Sequence, residues 1–231
     1  MLRLALSDAL LYAAQLVGDA LPADLVAWKT VGYYSQALRR NVRELYSGSM
    51  GEREFVDRLF VLVDEQLTRA WNEGMRVNGL DPKSDMIDEW QEVLDEVKLK
   101  ELDYVDDFAR EIIQQAADDE ATGVNHLVQY LSRADVWANR YTDMVNTATM
   151  TTAEGKDRLK WVFGDTDHCT TCEALNGIIA FNREWQEANV RPQSPPNHDL
   201  ECGGWRCQCR LEPTDARRTR NALQKILAAM G

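Results

Sequence analysis

Five cysteines offer the clearest chemistry in this chain. Cys169, Cys172, Cys202, Cys207 and Cys209 all fall in the last third of 231 residues, and the first 168 contain none. Cys169-Thr170-Thr171-Cys172 is a Cys-x2-Cys knuckle, whose thiolates can take two corners of a zinc tetrahedron. The second half runs from His198 through Cys202 to Cys207 and Cys209, supplying an imidazole and three more thiolates. Gly203 and Gly204 permit the sharp backbone path that brings the Cys-x4-Cys pair Cys202 and Cys207 to one ion. An odd, clustered set with no convincing export signal favours metal-bound thiolates over a disulfide framework. The expectation is one structural zinc held by Cys169 and Cys172, with two further ligands drawn from His198, Cys202, Cys207 and Cys209. Spacing alone does not choose among those four, and the short Cys-x-Cys bite argues against both Cys207 and Cys209 binding.

A hydrolytic zinc would need an open coordination position and a general base. Glu173 and Asp199 lie nearby in sequence, yet so many thiolates point to a closed site. Asn197-His198 matches a fragment of the His-Asn-His nuclease motif, which makes a metal-dependent nuclease the alternative of a different class. The chain has three histidines in all and lacks that motif's paired first histidine. His168 precedes a ligand and is expected to steady the knuckle. His126 reads as an ordinary packed or surface histidine.

The elements that must position these groups divide near residues 152–160. Residues 1–155 read as a helical region of about five helices, and 156–231 as a cysteine-rich module with a basic C-terminal helix. The fold class is therefore mainly α: an elongated helical region followed by a small zinc-stabilised α+β module with short strands. Leu2 to Val17 reads as an amphipathic helix, not a signal peptide, because Asp8 and Gln15 interrupt it. A second helix follows Pro22 and stops at Gly48. Ser49 and Glu52 predict a capping box for a third, whose face carries Phe55, Leu59, Leu62, Leu67, Ala70, Trp71 and Met75 up to Asn78-Gly79. A long acidic helix near 82–120 keeps a stripe from Met86 and Trp90 to Phe108 and Ile112. Leu127, Leu131, Trp137, Tyr141, Val145 and Ala148 mark another helix. Beyond it, Trp161 to Phe163 reads as a strand, Asn176-Gly177 as a hairpin turn into Ile178 to Phe181, and Trp205 to Leu211 as a last strand. Asp215 is expected to cap the final helix, which ends near Met230.

Hydrophobic residues make up 45% of the chain and charged residues 28%, enough apolar content for a packed core. The net charge of −12 is concentrated between Asp81 and Glu120, where fifteen acidic residues face four basic ones. Such a segment repels nucleic acid and reads chiefly as a solvated helix face. The tail reverses the sign, with Arg206, Arg210, Arg217, Arg218, Arg220 and Lys225. It supplies a third reading, a zinc-containing adaptor that binds DNA through these basic residues. No apolar run reaches the roughly 18 residues needed to cross a bilayer, so no membrane partner is expected.

The order of motifs resembles a known family. Asp-x-His-Cys-x2-Cys, Asn-Gly, Pro-Pro-x-His and then Cys-x-Cys with Arg-Leu look like the C-terminal signature of tailed-phage minor head proteins, the head-morphogenesis proteins of the phage Mu protein F type. The match covers roughly Trp161 to Leu211, and the helical part is similar in character only. Carried over, the family's first cysteine pair falls on Cys169 and Cys172, its proline-histidine element on Pro195-Pro196-Asn197-His198, and its terminal pair on Cys207 and Cys209. Glu201 to Trp205 intervenes where the family's histidine lies nearer the terminal pair, leaving His198 and Cys202 as alternative ligands. The resemblance implies a non-enzymatic structural protein of head morphogenesis. Its partners would be the portal and major capsid proteins, with packaged DNA touched by the basic tail. It would act in the host cytoplasm during assembly and reside in the virion head or at the portal vertex.

Overall fold

The computed structural model describes residues 23–165, 167–193, 195–205 and 207–230, with side chains from residue 31 onward. The helix expected over Leu2 to Val17 lies outside the described residues. Four long helices come first: α1 (Ala23–Tyr46), α2 (Glu52–Val77), α3 (Asp88–Thr122) and α4 (Leu127–Thr152). The module follows as β1 (Arg158–Val162), α5 (Thr170–Leu175), β2 (Ile179–Phe181), α6 (Asn182–Glu187), β3 (Arg210–Pro213) and α7 (Ala222–Met230). The described chain is thus mainly helical, with one small antiparallel sheet.

Helical periodicity explains the first part. Phe55, Leu59, Val63, Leu67, Ala70, Trp71 and Met75 recur on one face of α2 and are buried against α4, which α1 also packs. Burying side chains of that size contributes about 1.5–3 kcal/mol each, which is why this stripe dictates the packing. Phe108 of α3 joins them, with its ring edge-on to Trp137 at 4.8 Å and tilted against Phe55 and Tyr130. Three turns of sequence fix the ends. Asn78 caps α2 and sends its amide to the Thr149 carbonyl at 2.8 Å. Gly123, at φ +72°, ends α3. Just before it, the buried Asp119 carboxylate accepts from Tyr46 and from both the backbone N–H and Nδ1 of His126, tying α1, α3 and the start of α4 together.

Two local expectations are corrected here. The Ser49/Glu52 capping box does not form: Gly51 is the N-cap of α2, without a side-chain bond, and the Ser49 hydroxyl donates back to the Glu44 carbonyl at 3.0 Å. Closing the preceding helix competes successfully for the same hydroxyl. Asp215 does not cap α7, which starts seven residues later at Ala222, after Asn221 at φ +54°. The intervening backbone is used elsewhere: Thr219 N–H donates to the Ile179 carbonyl at 2.8 Å, and its hydroxyl accepts from Ile179 N–H at 3.0 Å.

In the module the strand order is β2-β1-β3, with Leu159 opposite Ala180 and Trp161 opposite Leu211. The expected tight hairpin is interrupted by α5, so Asn176-Gly177 serves as the helix exit and Gly177 (φ +80°) donates to the Trp161 carbonyl. The last strand begins at Arg210, later than the expected start at Trp205, because the preceding residues are drawn into the cysteine cluster. A second hydrophobic cluster forms here around Trp161, Trp185, Leu159, Leu175, Leu211 and Ile226, and Met150 at the end of α4 belongs to it. The helix α4 reaches into the module along one further face, with Arg140, Asp143, Asn146 and Met150 at helical spacing. Asn146 is 1% exposed: its amide donates to the Cys209 carbonyl and its oxygen accepts from Leu211 N–H.

Candidate metal centre

Each cysteine reaches the site by a different local device. Cys169 is the N-cap of α5, and its sulfur accepts from Cys172 N–H at 3.5 Å, so the Cys-x2-Cys spacing becomes one turn with both thiols on one side. The Glu201 carboxylate accepts from the Thr170 N–H and hydroxyl, pinning the second loop to that same turn. The second loop then reverses through Gly203 and Gly204, at φ +63° and +77°. A Cβ on Gly204 would stand 2.3 Å from the Gln193 carbonyl oxygen, so both space and conformation require glycine there. Gln193 is itself buried and donates its side-chain amide to the Cys207 carbonyl. Gly164 allows the strand after Trp161 to pass against the Gln208 backbone, where a Cβ would meet the Gln208 carbonyl at 2.3 Å. Cys209 follows directly, immediately before β3.

All five cysteines converge as free thiols. Their sulfurs form two groups, Cys169, Cys172 and Cys202, and Cys172, Cys207 and Cys209, with the atoms of each group within 4.8 Å of one another. Cys172 belongs to both. Its Sγ lies 3.9 Å from that of Cys207, whereas a zinc–sulfur bond of about 2.3 Å places the corners of a tetrahedron about 3.8 Å apart. This cluster can hold a metal ion. Cys172, Cys207 and Cys209 are buried, and Cys169 and Cys202 are partly so, which leaves the centre enclosed.

The electrostatics point the same way. Sharing its proton with Cys207 and Cys209, and then burial, push the Cys172 thiol far above its ordinary range. Contacts from the Cys172 and Cys207 thiols, with help from Gly164 N–H and the Trp161 indole, bring Cys209 down to about 3. The buried Trp161 indole N–H has no hydrogen-bond partner among the described residues. Several thiolates this close repel one another unless protons or a cation lie between them, and a divalent cation does that for all of them at once.

The histidines are dispersed. His168 stacks flat on Phe163 at 3.6 Å and turns Nδ1 toward the Cys209 sulfur at 3.8 Å, so it adjoins the cluster. His198 is exposed and stands on the rim of an open cleft with Gln186 and Asn189; the structure does not bring it among the sulfurs. Proline and asparagine hold it away: the Asn197 amide is spent on the Arg191 and Gln193 carbonyls, and its oxygen accepts from Asp199 N–H. His126 is bound to Asp119 in the helical region. Glu173 and Asp199 are exposed, and neither belongs to a metal-capable group among the described residues. Cys207 and Cys209, by contrast, do share one group despite their short spacing.

Sequence reasoning missed the groups that support the sulfurs. Asn146, Gln193 and Trp161 approach from three distant segments, and only Asn146 left a trace, as an amide within the apolar and small-residue run from Met144 to Thr152. The basic tail is also less free than its composition implies. Arg218 is bound by Glu184 and lies over the Phe181 ring, and Arg210 pairs with Glu212 at 2.6 Å. Arg217 and Arg220 are exposed, and Arg206 lies outside the described residues. No helix among the described residues is long and apolar enough to cross a membrane. No family model matches the chain, and no curated protein or solved structure matches it significantly.

Proposed function

We propose that the protein is a non-enzymatic assembly component whose C-terminal module is folded around one structural zinc ion. The observation that carries this is the convergence of five cysteines in an enclosed cluster, with no carboxylate in either sulfur group and with His126 and His198 held elsewhere. A soft, thiolate-rich, closed donor set suits Zn²⁺ better than a hard cation, and it leaves little room for the open water position that hydrolysis needs. Cys172 anchors the ion from either group, and the remaining positions are filled from Cys169, Cys202, Cys207 and Cys209.

The resemblance of roughly Trp161 to Leu211 to the phage Mu protein F type supports a more specific reading. On it, the protein is a minor head protein that joins portal and capsid proteins during head morphogenesis in the host cytoplasm, and its tail arginines Arg217 and Arg220 face packaged DNA. The test has two parts. Purified protein is expected to contain about one zinc per chain by elemental analysis, and in a phage-producing lysate it is expected to copurify with portal and capsid proteins. Cleavage of DNA on adding a divalent metal, lost when His198 is changed to Ala, would favour the nuclease reading and overturn this one.

A further inference from the structure

Beside the module, a groove of about 330 Å³ runs between α3, α4 and the proline loop. Its lining is mostly apolar: Tyr104 and Phe108 from α3, Trp137 from α4, and Pro195, Pro196 and Trp205 from the loop. Tyr104 and Trp205, 63% and 47% exposed, form its open lips. Two large aromatic rings held in solvent next to a proline wall are an unusual way to leave apolar surface.

The groove also has a charge. Its own arginines are engaged: Arg140 by Glu101 and Asp143, and Arg133 by Glu111 while it covers the Phe108 ring. What remains is the field of α3, which carries thirteen carboxylates against Lys98, Lys100 and Arg110. Asp103 adjoins Tyr104 in sequence and Asp107 follows one turn later. Asp103 makes no ion pair among the described residues, and Asp107 has only the exposed Arg110. Exposed pairs of that kind contribute little, Arg133–Glu111 included. Counted together, Glu101, Asp103, Asp107, Glu111 and Asp143 outnumber Arg110, Arg133 and Arg140, which leaves an acidic excess.

We propose that this groove docks an extended, proline-containing segment of a partner protein that carries basic residues on its flank. Aromatic shelves take the rigid rings of a polyproline II segment at small entropic cost, and the acidic excess of α3 favours arginine or lysine next to the prolines. The occupant's chemistry follows from those two features together: an acidic flank would be repelled by α3, and a segment without a rigid apolar ring would leave the Tyr104–Trp205 cleft unfilled. The inference stands apart from the identity of the metal and from the phage reading.

The probe is a fluorescein-labelled proline-rich peptide flanked by arginines, titrated with full-length protein and read by fluorescence anisotropy at low salt. Saturable binding is expected, weakening steeply as salt rises. Trp205→Ala is expected to weaken it about tenfold or more, the effect of removing an aromatic anchor. Trp205 is half exposed, so the fold should tolerate the change, and an unchanged circular dichroism spectrum checks this. Asp103→Asn with Asp107→Asn should cost several-fold and flatten the salt dependence without touching the apolar walls. The same peptide with glutamate flanks, or with its prolines replaced by alanine, should bind far more weakly. Absence of saturable binding, equal affinity for the Trp205→Ala protein, or equal affinity for the glutamate-flanked or alanine peptide would each overturn the proposal.

Discussion

The two parts of this protein solve the same problem by different means. From residue 31 to the end of α4, aromatic and aliphatic side chains form one continuous core of Leu, Phe, Tyr and Trp, and no cysteine is used. The module has a few large residues, chiefly Trp161 and Trp185, and gathers cysteines where more core would otherwise be needed. Long helices bury an apolar stripe by length alone, whereas loops and strands of three to five residues do not. The lesson is that a thiolate cluster substitutes for hydrophobic volume where the chain is too irregular to supply it.

Removing the proposed zinc is expected to break that equivalence most severely. Chelation is expected to unfold the module while α1 to α4 survive, since zinc binding by such sites is worth on the order of 10 kcal/mol. Circular dichroism should keep most of its helical signal as the fluorescence of Trp161 and Trp185 changes. Cys172→Ser should reproduce this more fully than Cys169→Ser or Cys209→Ser, because only Cys172 belongs to both sulfur groups. Loss of the whole helical signal on chelation would mean the two parts fold as one.

Asn146→Ala tests the seam between them. It strands the Cys209 carbonyl and the Leu211 N–H, and it is expected to cost about 2–3 kcal/mol in urea denaturation of the zinc-loaded protein. The smallest effect lies in the helical part. Burial raises the Glu73 carboxyl above its ordinary range, although the Tyr141 hydroxyl donates to it at 2.5 Å and partly opposes this. The folded state therefore holds this proton more tightly than the unfolded chain, so ionised Glu73 is a burden at neutral pH that acidification relieves. Glu73→Gln should raise stability slightly at pH 7, with the gain fading as the pH falls through the carboxyl range. An equal gain at both ends of that range would assign it to packing.

Sequence pattern revealed the two parts unequally. The stripe from Phe55 to Met75 was readable because a helix repeats its inward face every few residues, and the cysteines because thiols in such spacing have few other uses. Gly79 and Gly123 were readable as stops, since only glycine takes their backbone conformation at no cost. Ser49 was not, because a hydroxyl between two helices can serve either end and sequence does not weigh them. His198 sits close to Cys202 in sequence, yet the bonds of Asn197 direct it to another surface. Asn146 has a role only once β3 lies beside it, and nothing local announces a contact across more than sixty residues.

That same asparagine bears on how copies of this protein can meet. Its side chain occupies the hydrogen-bonding positions that a neighbouring strand would use along β3, and Thr219 does the same along β2. A three-stranded sheet ordinarily offers two open margins to any extended chain that drifts past. Here each margin is occupied from within at one residue, Leu211 on β3 and Ile179 on β2, which shortens the run of backbone a passing strand can pair with. Crowded beside identical copies, the module is thereby biased toward contacts through side chains and grooves, which are selective, and away from backbone pairing, which is not.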